Sequence, residues 1–555
     1  MNTAKALLDR PSPLLMAGMG LLLVLVLLHG TGVSPELGDL GGDSAEYVLL
    51  ARSLAGGHGY RDLYLPGAPA HTQYPFGWPL LLAPLQWLPG DGFLAAHLLT
   101  LALFGFALWL TFVWIRGELG AGAAWAAVAL LGFSPALLEA SGQLRSELPA
   151  LVFGLLTLCA LQRYAQADSW KHRSGLLAAL FAAAAVLIRT ASAPFAVGGA
   201  LYLLAGRAQG SRTQAELSRP PIRARLVKAG FFLVLAGLPV LGWMIRNRLL
   251  GGTGSSYFDQ LLLAELYTHD AGQLDASGLL QRITENVAQY WQLSGWLILS
   301  PAVKLAPWGL YWLGVPAILA AIGFVVRFWY RRGPAEWILP LYLLVILAWP
   351  WTGVRFLVPV APLIVFYAIA GTQWAIAPLF RRQASLRRFG LPAIAILASI
   401  GNASECWPYV SSRVTPAPYI NDRIEIDFSG FSEQVLWRQQ RLTEAAHAAW
   451  GRYLTLGVDA QRSGGGTVLC RKPRLTALLC GIGTTGIPLE PDPDRFLEEA
   501  QRQGVRFVLV DELGGLSSEY VKPAIEARPE QFQLISRRGA SALYELRPRL
   551  TASPK

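Results

Sequence analysis

The stretch GFLAAHLLTLALFGFALWLTFVWI, residues 92–115, decides the fold class: it carries no Asp, Glu, Lys or Arg. A helix rises about 1.5 Å per residue, so this run is long enough for the roughly 30 Å hydrocarbon core of a bilayer. Comparable apolar runs lie at 13–30, 121–139, 148–164, 174–188, 191–206, 229–246, 305–328, 335–351, 356–376 and 389–405. The sequence therefore predicts a mainly α, polytopic membrane bundle of about eleven transmembrane helices. Arg189 interrupts the apolar stretch 174–206 and predicts a break there. The shorter FGWPLLLAPLQWLP (76–89) is broken by prolines and reads as an interfacial or re-entrant helix.

Composition agrees with this reading. Hydrophobic residues make up 53% of the 555 and charged residues only 15%, against about 25% charged in an average soluble domain. Mean hydropathy is +0.39. These values exclude a soluble globular enzyme and a disordered chain. Charge is unevenly placed. Residues 407–555 hold 19 Lys/Arg and 17 Asp/Glu, about twice the density of the residues before them. Residues 1–405 thus read as a transmembrane domain and 406–555 as a soluble domain. Cys159, Cys406, Cys470 and Cys480 are too few and too scattered for a disulfide scaffold or a zinc ribbon.

Orientation follows from basic residues in the short loops. Lys5 and Arg10, Arg116, the 163–173 group, the 207–228 group, the 327–332 group and the 381–388 group all fall on one side. That side is cytoplasmic, with the N-terminus. An odd number of spans puts 406–555 outside, on the periplasmic or extracellular face of the inner (plasma) membrane. The net charge of +11 is then mostly topological, and no nucleic acid is expected as a partner. Lys5 and Arg10 before the first span also suit a signal peptide, but HGTGVSPELGDL after it lacks a small-x-small cleavage site. An uncleaved span is expected. The exterior face then carries two long loops, 31–91 and 247–304. The second includes YFDQLLLAELYTHD, a candidate surface helix. Long ordered loops are usually functional.

The tail alternates helix and strand patterns. The segment 432–454 reads as an amphipathic helix. TVLC, the helix around 493–503, the buried strand VRFVLVD (505–511) and ALYEL follow. A small α/β domain is expected. GIGTTG (481–486) opens no convincing helix and reads as a turn, not a phosphate loop. Cys470 and Cys480 either pair outside the membrane or are two half-buried thiols. Asn402-Ala403-Ser404 matches a glycosylation sequon at a span end.

Three stretches hold chemistry-bearing side chains. GDLGGDSAEYVLLARSLAGGHGY (38–60) follows the first span. Asp43 starts a helix lying along the membrane surface, with Tyr47 one turn on. N-capping alone accounts for Asp43. It does not account for Asp39, Glu46, His58 and Tyr60, or for the aromatic HTQYPFGWPLLLAP with Tyr74 that comes next. FSPALLEASGQLRSELP (133–149) places Glu139, Arg145 and Glu147 at a membrane edge, where Glu147 also suits a helix start. Arg189, Arg246 and Arg355 lie at exterior span ends. A guanidinium fork suits phosphate oxygens, and snorkelling is the alternative.

In order, the chain shows Asp43 to Tyr47, Leu50-Ala51-Arg52-Ser53-Leu54, Gly57-His58-Gly59-Tyr60 and Tyr74-Pro75-Phe76-Gly77-Trp78-Pro79-Leu80-Leu81. Ser146-Glu147, Leu238-Pro239 through Arg246-Asn247, and Arg355-Phe356-Leu357-Val358-Pro359-Val360-Ala361-Pro362 follow. Taken with the topology, this order resembles the C-type membrane glycosyltransferases of the protein mannosyltransferase and aminoarabinose transferase group, over roughly residues 10–405. The resemblance implies a polyprenyl-phosphate-linked sugar donor. It implies transfer at the outer face to a glycan, lipid or protein acceptor. It also implies that Asp43 matches the group's catalytic acid. Many members have Asp-Glu where this chain has Asp43-Ser44. A divalent cation is left open as a cofactor, with no metal ligands assigned.

The expected enzyme is a hexosyl- or pentosyltransferase. Asp43 takes the acceptor proton in a single inverting displacement, with Glu147 as the second catalytic candidate. Tyr47, His58, Tyr60, Tyr74, Arg145, Arg189, Arg246 and Arg355 are the candidate substrate-binding residues. A secondary transporter or flippase-like protein is the rival from another class. It would place polar residues mid-span in inverted repeats, whereas the acids here collect in exterior loops.

Overall fold

The computed structural model describes residues 13–33, 37, 42–88, 92–205, 221–251, 257–264, 268, 272–298, 314–378, 395, 398–403, 406 and 442–547. These fall into two compact units. One comprises 1–34, 95–248 and 280–414; the other comprises 35–94, 249–279 and 415–555.

The first unit is helical. Among the described residues four helices are long and apolar enough to cross a membrane: Phe93–Leu119, Glu147–Gln166, Ile222–Leu249 and Val354–Ile376, the last opening with a 3-10 turn. Ala121–Gly132 and Pro135–Ser141 form a further broken pair, bent by 66°. Shorter apolar helices occupy Gly18–Gly30, Arg173–Ile188, Thr190–Ala205, Val315–Tyr330 and Ala335–Ala348. Ten of the eleven sequence spans thus have a described helix. The eleventh, 389–405, lies mostly outside the described residues, so the number of spans stays open. The break at Arg189 is present: its backbone is extended, between Arg173–Ile188 and the turn Thr190–Ser192. Glycine sets the tightest helix contact. A Cβ on Gly323 would lie 1.9 Å from the Tyr367 carbonyl oxygen, and one on Gly371 would lie 1.9 Å from that of Leu319. Only glycine lets these backbones approach so closely. Asn402 is buried and donates to the Ile298 carbonyl at 3.1 Å, which leaves no room for a glycan on the sequon.

The second unit carries a five-stranded sheet of order β2-β1-β3-β5-β4. Its strands are β1 (Thr467–Cys470), β2 (Thr484–Gly486), β3 (Val505–Val510), β4 (Phe532–Arg538) and β5 (Ser541–Leu546). β1 pairs parallel with β2 and β3, and β5 pairs antiparallel with β3 and β4. The expected strand VRFVLV is buried at five of its six positions, consistent with its central place. Pro493–Arg502 covers the sheet. Its start is fixed by the Asp492 carboxylate, which accepts from the backbone N–H groups of Asp494 and Arg495. GIGTTG departs from the expected turn. Gly481 ends the preceding helix at φ 64°, and Thr484–Gly486 is strand β2. Cys470 and Cys480 are free thiols in the core. Burial pushes them up to about 11 and about 12. Of the expected amphipathic helix, Leu442–Arg462 is described; of the surface segment, Tyr257–Leu262 is helical.

Candidate functional site

Two clusters of ionisable groups hold the expected residues, one in each unit. In the second unit, Asp43 is the first residue of helix Asp43–Ala55. Gly42, at φ 93°, occupies the N-cap position, a conformation that costs an L side chain energy. The N-cap is therefore Gly42, not Asp43. Asp43 is half-buried, and Tyr74 donates its hydroxyl to Asp43 Oδ1 at 3.1 Å. Tyr47 meets Tyr74 edge-on, with centroids 5.3 Å apart. Tyr60 donates to the carbonyls of Tyr74 and Pro75, which holds the Tyr74 turn. His58 is exposed in the turn after the helix, at the end opposite Asp43.

Beneath Asp43 lies a buried polar network that the sequence reading did not assign. Glu46 is fully buried and accepts from Tyr64 at 2.9 Å. His71 lies 3.3 Å from Glu46 Oε1 and 2.7 Å from Asp62 Oδ1, and it stacks on Tyr74. Burial pushes the Glu46 and Asp62 carboxyls above their ordinary range, with Arg474 pulling both down and His71 also pulling Glu46 down. Arg474 enters from helix Pro473–Cys480. Its Nε lies 2.6 Å from Glu46 Oε2, Nη1 donates to Tyr74 at 3.0 Å, and Nη2 donates to Gln73 at 3.1 Å. A local signal for Arg474 existed. Arg471, Lys472 and Arg474 crowd a helix start, where the helix dipole disfavours cations. Such a cluster calls for a carboxylate partner elsewhere in the chain.

Among the described residues, Glu46, Asp62 and His71 also have ligand atoms close enough to share a cation, all within 4.8 Å. Their hydrogen bonds do not suit one. The Tyr74 backbone N–H donates to His71 Nε2 at 2.7 Å, so that nitrogen carries the lone pair. The neutral ring then bears its proton on Nδ1, the nitrogen facing both carboxyls. Arg474 already supplies a positive charge at Glu46. In this arrangement the residues do not fit a resident divalent cation.

The first unit holds the second cluster. Glu147 opens helix Glu147–Gln166 and is 3% exposed. Arg189 Nη1 lies 3.1 Å from both Glu147 Oε1 and Ser146 Oγ. The extended backbone at the Arg189 break separates two apolar helices and leaves this side chain at their junction. Arg189 and Arg355 share one aromatic ring: their guanidinium carbons lie 5.4 Å and 4.9 Å from the centre of Phe356. Arg246 is anchored on its own helix, over Trp243 and donating to Asn247. Arg145 is buried, 3.9 Å from Glu139. The structure thus gathers Glu147, Arg189 and Arg355 in one unit, and Asp43, Tyr47, Tyr60 and Tyr74 in the other.

Residues 74–243 match the family model described as dolichyl-phosphate-mannose-protein mannosyltransferase. The match begins at Tyr74 and includes Glu147 and Arg189, and it covers under a third of the chain. No curated protein sequence matches the chain. Solved structures share its fold. The arabinofuranosyltransferase AftD from Mycobacteria is 15% identical with a TM-score of 0.50, over 96% of this chain and 40% of its own. The archaeal oligosaccharyltransferase AglB from Archaeoglobus fulgidus, solved with an inhibitory peptide and a dolichol-phosphate, is 11% identical with a TM-score of 0.52. That match covers 97% of this chain and 75% of AglB. ArnT from Cupriavidus metallidurans, solved with undecaprenyl phosphate, is also 11% identical with a TM-score of 0.52, over 97% and 99%. The resemblance to the C-type membrane glycosyltransferases therefore holds in a sequence model and in the fold.

Proposed function

We propose that this protein is an integral-membrane glycosyltransferase that moves a sugar from a polyprenyl-phosphate donor to an acceptor hydroxyl at the outer face of the inner membrane. The observation that carries the reading is Asp43: a half-buried carboxylate at a helix start, held by the Tyr74 hydroxyl. Resemblance of sequence and fold to enzymes of this class supports it.

In the reaction, the acceptor oxygen forms a bond to the anomeric carbon. The bond from that carbon to the phosphate oxygen breaks, and its electron pair leaves with the polyprenyl phosphate. Asp43 takes the acceptor proton as general base, a role worth roughly 10²–10⁴ in rate. Arg189 and Arg355 are candidates for a lipid phosphate by their chemistry, because a guanidinium fork suits phosphate oxygens. Arg246 is a further cation for the lipid headgroup. Glu147 orients Arg189. A single displacement with one base inverts the anomeric centre.

The test is turnover by the purified full chain with dolichyl-phosphate mannose and with undecaprenyl-phosphate-linked arabinose. Membrane extract supplies the acceptor, and free lipid phosphate is measured. Release that depends on acceptor and is lost in Asp43→Asn supports the reading. Release unchanged in Asp43→Asn removes Asp43 from the chemistry.

A further inference from the structure

The role of the C-terminal domain is written in one side chain. Arg474 stands 400 residues after Tyr74, on the helix that follows β1, and all three of its guanidinium nitrogens find partners in the segment 46–74. Its guanidinium carbon also lies 5.1 Å from the centre of the Tyr74 ring. We propose that Arg474 is a positioning residue, supplied by the C-terminal domain, that aims Asp43 through Tyr74. This rests on the reading of Asp43 as the general base.

Donor and acceptor bookkeeping gives the reason. A guanidinium donates and never accepts. Arg474 Nη1 therefore takes a lone pair of the Tyr74 oxygen, and the single hydroxyl proton is left to point at Asp43 Oδ1. The hydroxyl rotor is fixed by a residue of the other segment. The same guanidinium binds Glu46, one helical turn after Asp43, and so holds the helix start as well as the tyrosine. A second tie sits close by: Thr484 of β2 donates its backbone N–H to the Tyr64 carbonyl at 2.9 Å. The C-terminal domain is thus part of the frame around Asp43.

The experiment uses the full chain with Arg474→Lys, Tyr74→Phe and both together. Lysine keeps the charge and loses the fork that spans Glu46, Tyr74 and Gln73. Two readouts are taken. The first is kcat and KM for dolichyl-phosphate mannose or undecaprenyl-phosphate-linked arabinose, whichever the wild type uses. The second is backbone hydrogen exchange over residues 42–76 without substrate. Positioning predicts kcat down by up to about 100-fold in each single variant with KM little changed. The double variant should be no worse than the poorer single, because both act through one bond. Exchange should quicken over 42–76 in Arg474→Lys and not in β3 and β5. Wild-type kcat in Arg474→Lys, or effects that multiply in the double variant, overturn the proposal. If Arg474→Lys does not fold, Tyr74→Phe decides alone, and its wild-type kcat overturns it. If the wild type turns over neither donor, the transferase reading fails. Arg474 is then judged by exchange: quicker exchange over 42–76 keeps it as the organiser of that segment, and unchanged exchange overturns it.

Discussion

Asp43 and Glu147 both open helices, in different units of the molecule, and their surroundings differ. Glu147 is 3% exposed and paired directly with a guanidinium, with its second oxygen buried and without a hydrogen-bond partner. Asp43 is half-buried and accepts from a phenol, and the cation behind that phenol reaches it at one remove. The hydroxyl fixes the orientation of the Asp43 carboxylate through one hydrogen bond. The two acids that open helices thus differ in partner, a phenol at Asp43 and a guanidinium at Glu147.

Substituting the two acids tests that contrast most strongly. Asp43→Asn keeps the shape and cannot accept a proton. Transfer should fall roughly 10²–10⁴-fold, with stability changed by about 1 kcal/mol or less, the worth of the weakened hydrogen bond from Tyr74. Glu147→Gln should do the reverse. It deprives the partly buried Arg189 of its carboxylate, which costs about 3 kcal/mol of stability, while turnover per folded molecule falls far less than in Asp43→Asn, by about tenfold, as Arg189 loses its orientation. Thermal unfolding measured beside turnover on the same preparations separates the two. A stable Glu147→Gln that has lost turnover by orders of magnitude would exchange the roles of the two acids.

The arginines give the next largest effect. Arg189→Lys and Arg355→Lys keep charge and lose the planar fork, so binding of undecaprenyl phosphate should weaken about tenfold each, near 1.4 kcal/mol. Because both flank Phe356, their losses should couple in the double variant. Arg246→Lys, on a different ring, should add independently. Calorimetric titration with undecaprenyl phosphate in detergent checks both statements. Normal binding by all three variants would favour snorkelling.

Much of this was legible in the sequence, and the misses have physical reasons. Apolar length located ten helices, because a bilayer demands it. Arg189 marked a break, because a cation inside an apolar run needs an exit or a partner. The strand at 505–510 was legible because it is apolar at every position but the exposed Arg506, as a central strand demands. Strand β2 was not, since three residues, Thr484–Gly486, carry no periodicity and follow a glycine turn. Asp43, Tyr47 and Tyr74 were legible as a group because they are near in sequence. Arg474 showed only as part of a basic cluster at a helix start, and its partners were hidden because they lie some 400 residues away. Glu46 was noted only as a neighbour of Asp43. That it is fully buried, and tied to Tyr64, His71 and Arg474, depends on tertiary packing that no local pattern encodes.

The smallest expected effect concerns Glu46, the acid between the two extremes: buried like Glu147, and in the Asp43 unit. Burial is the largest influence on it and raises its pKa above the ordinary value of 4.5, against the pull of Arg474 and His71. A carboxyl whose folded pKa lies above its unfolded one binds its proton more tightly when folded. Its contribution to stability is fully present below the unfolded value and is lost as pH rises through the folded one. Glu46→Gln keeps the shape and removes the titration. The stability of the wild type relative to Glu46→Gln should therefore decline as pH rises above the ordinary carboxylate value of 4.5, with a slope no steeper than about 1.4 kcal/mol per pH unit. Denaturant unfolding of the two proteins at several pH values measures it. A relative stability that grows with pH would mean that Arg474 outweighs burial and holds Glu46 ionised. Glu46 would then join Glu147 as an acid committed to its arginine, and Asp43 would be left as the carboxylate of the pattern held through a hydroxyl.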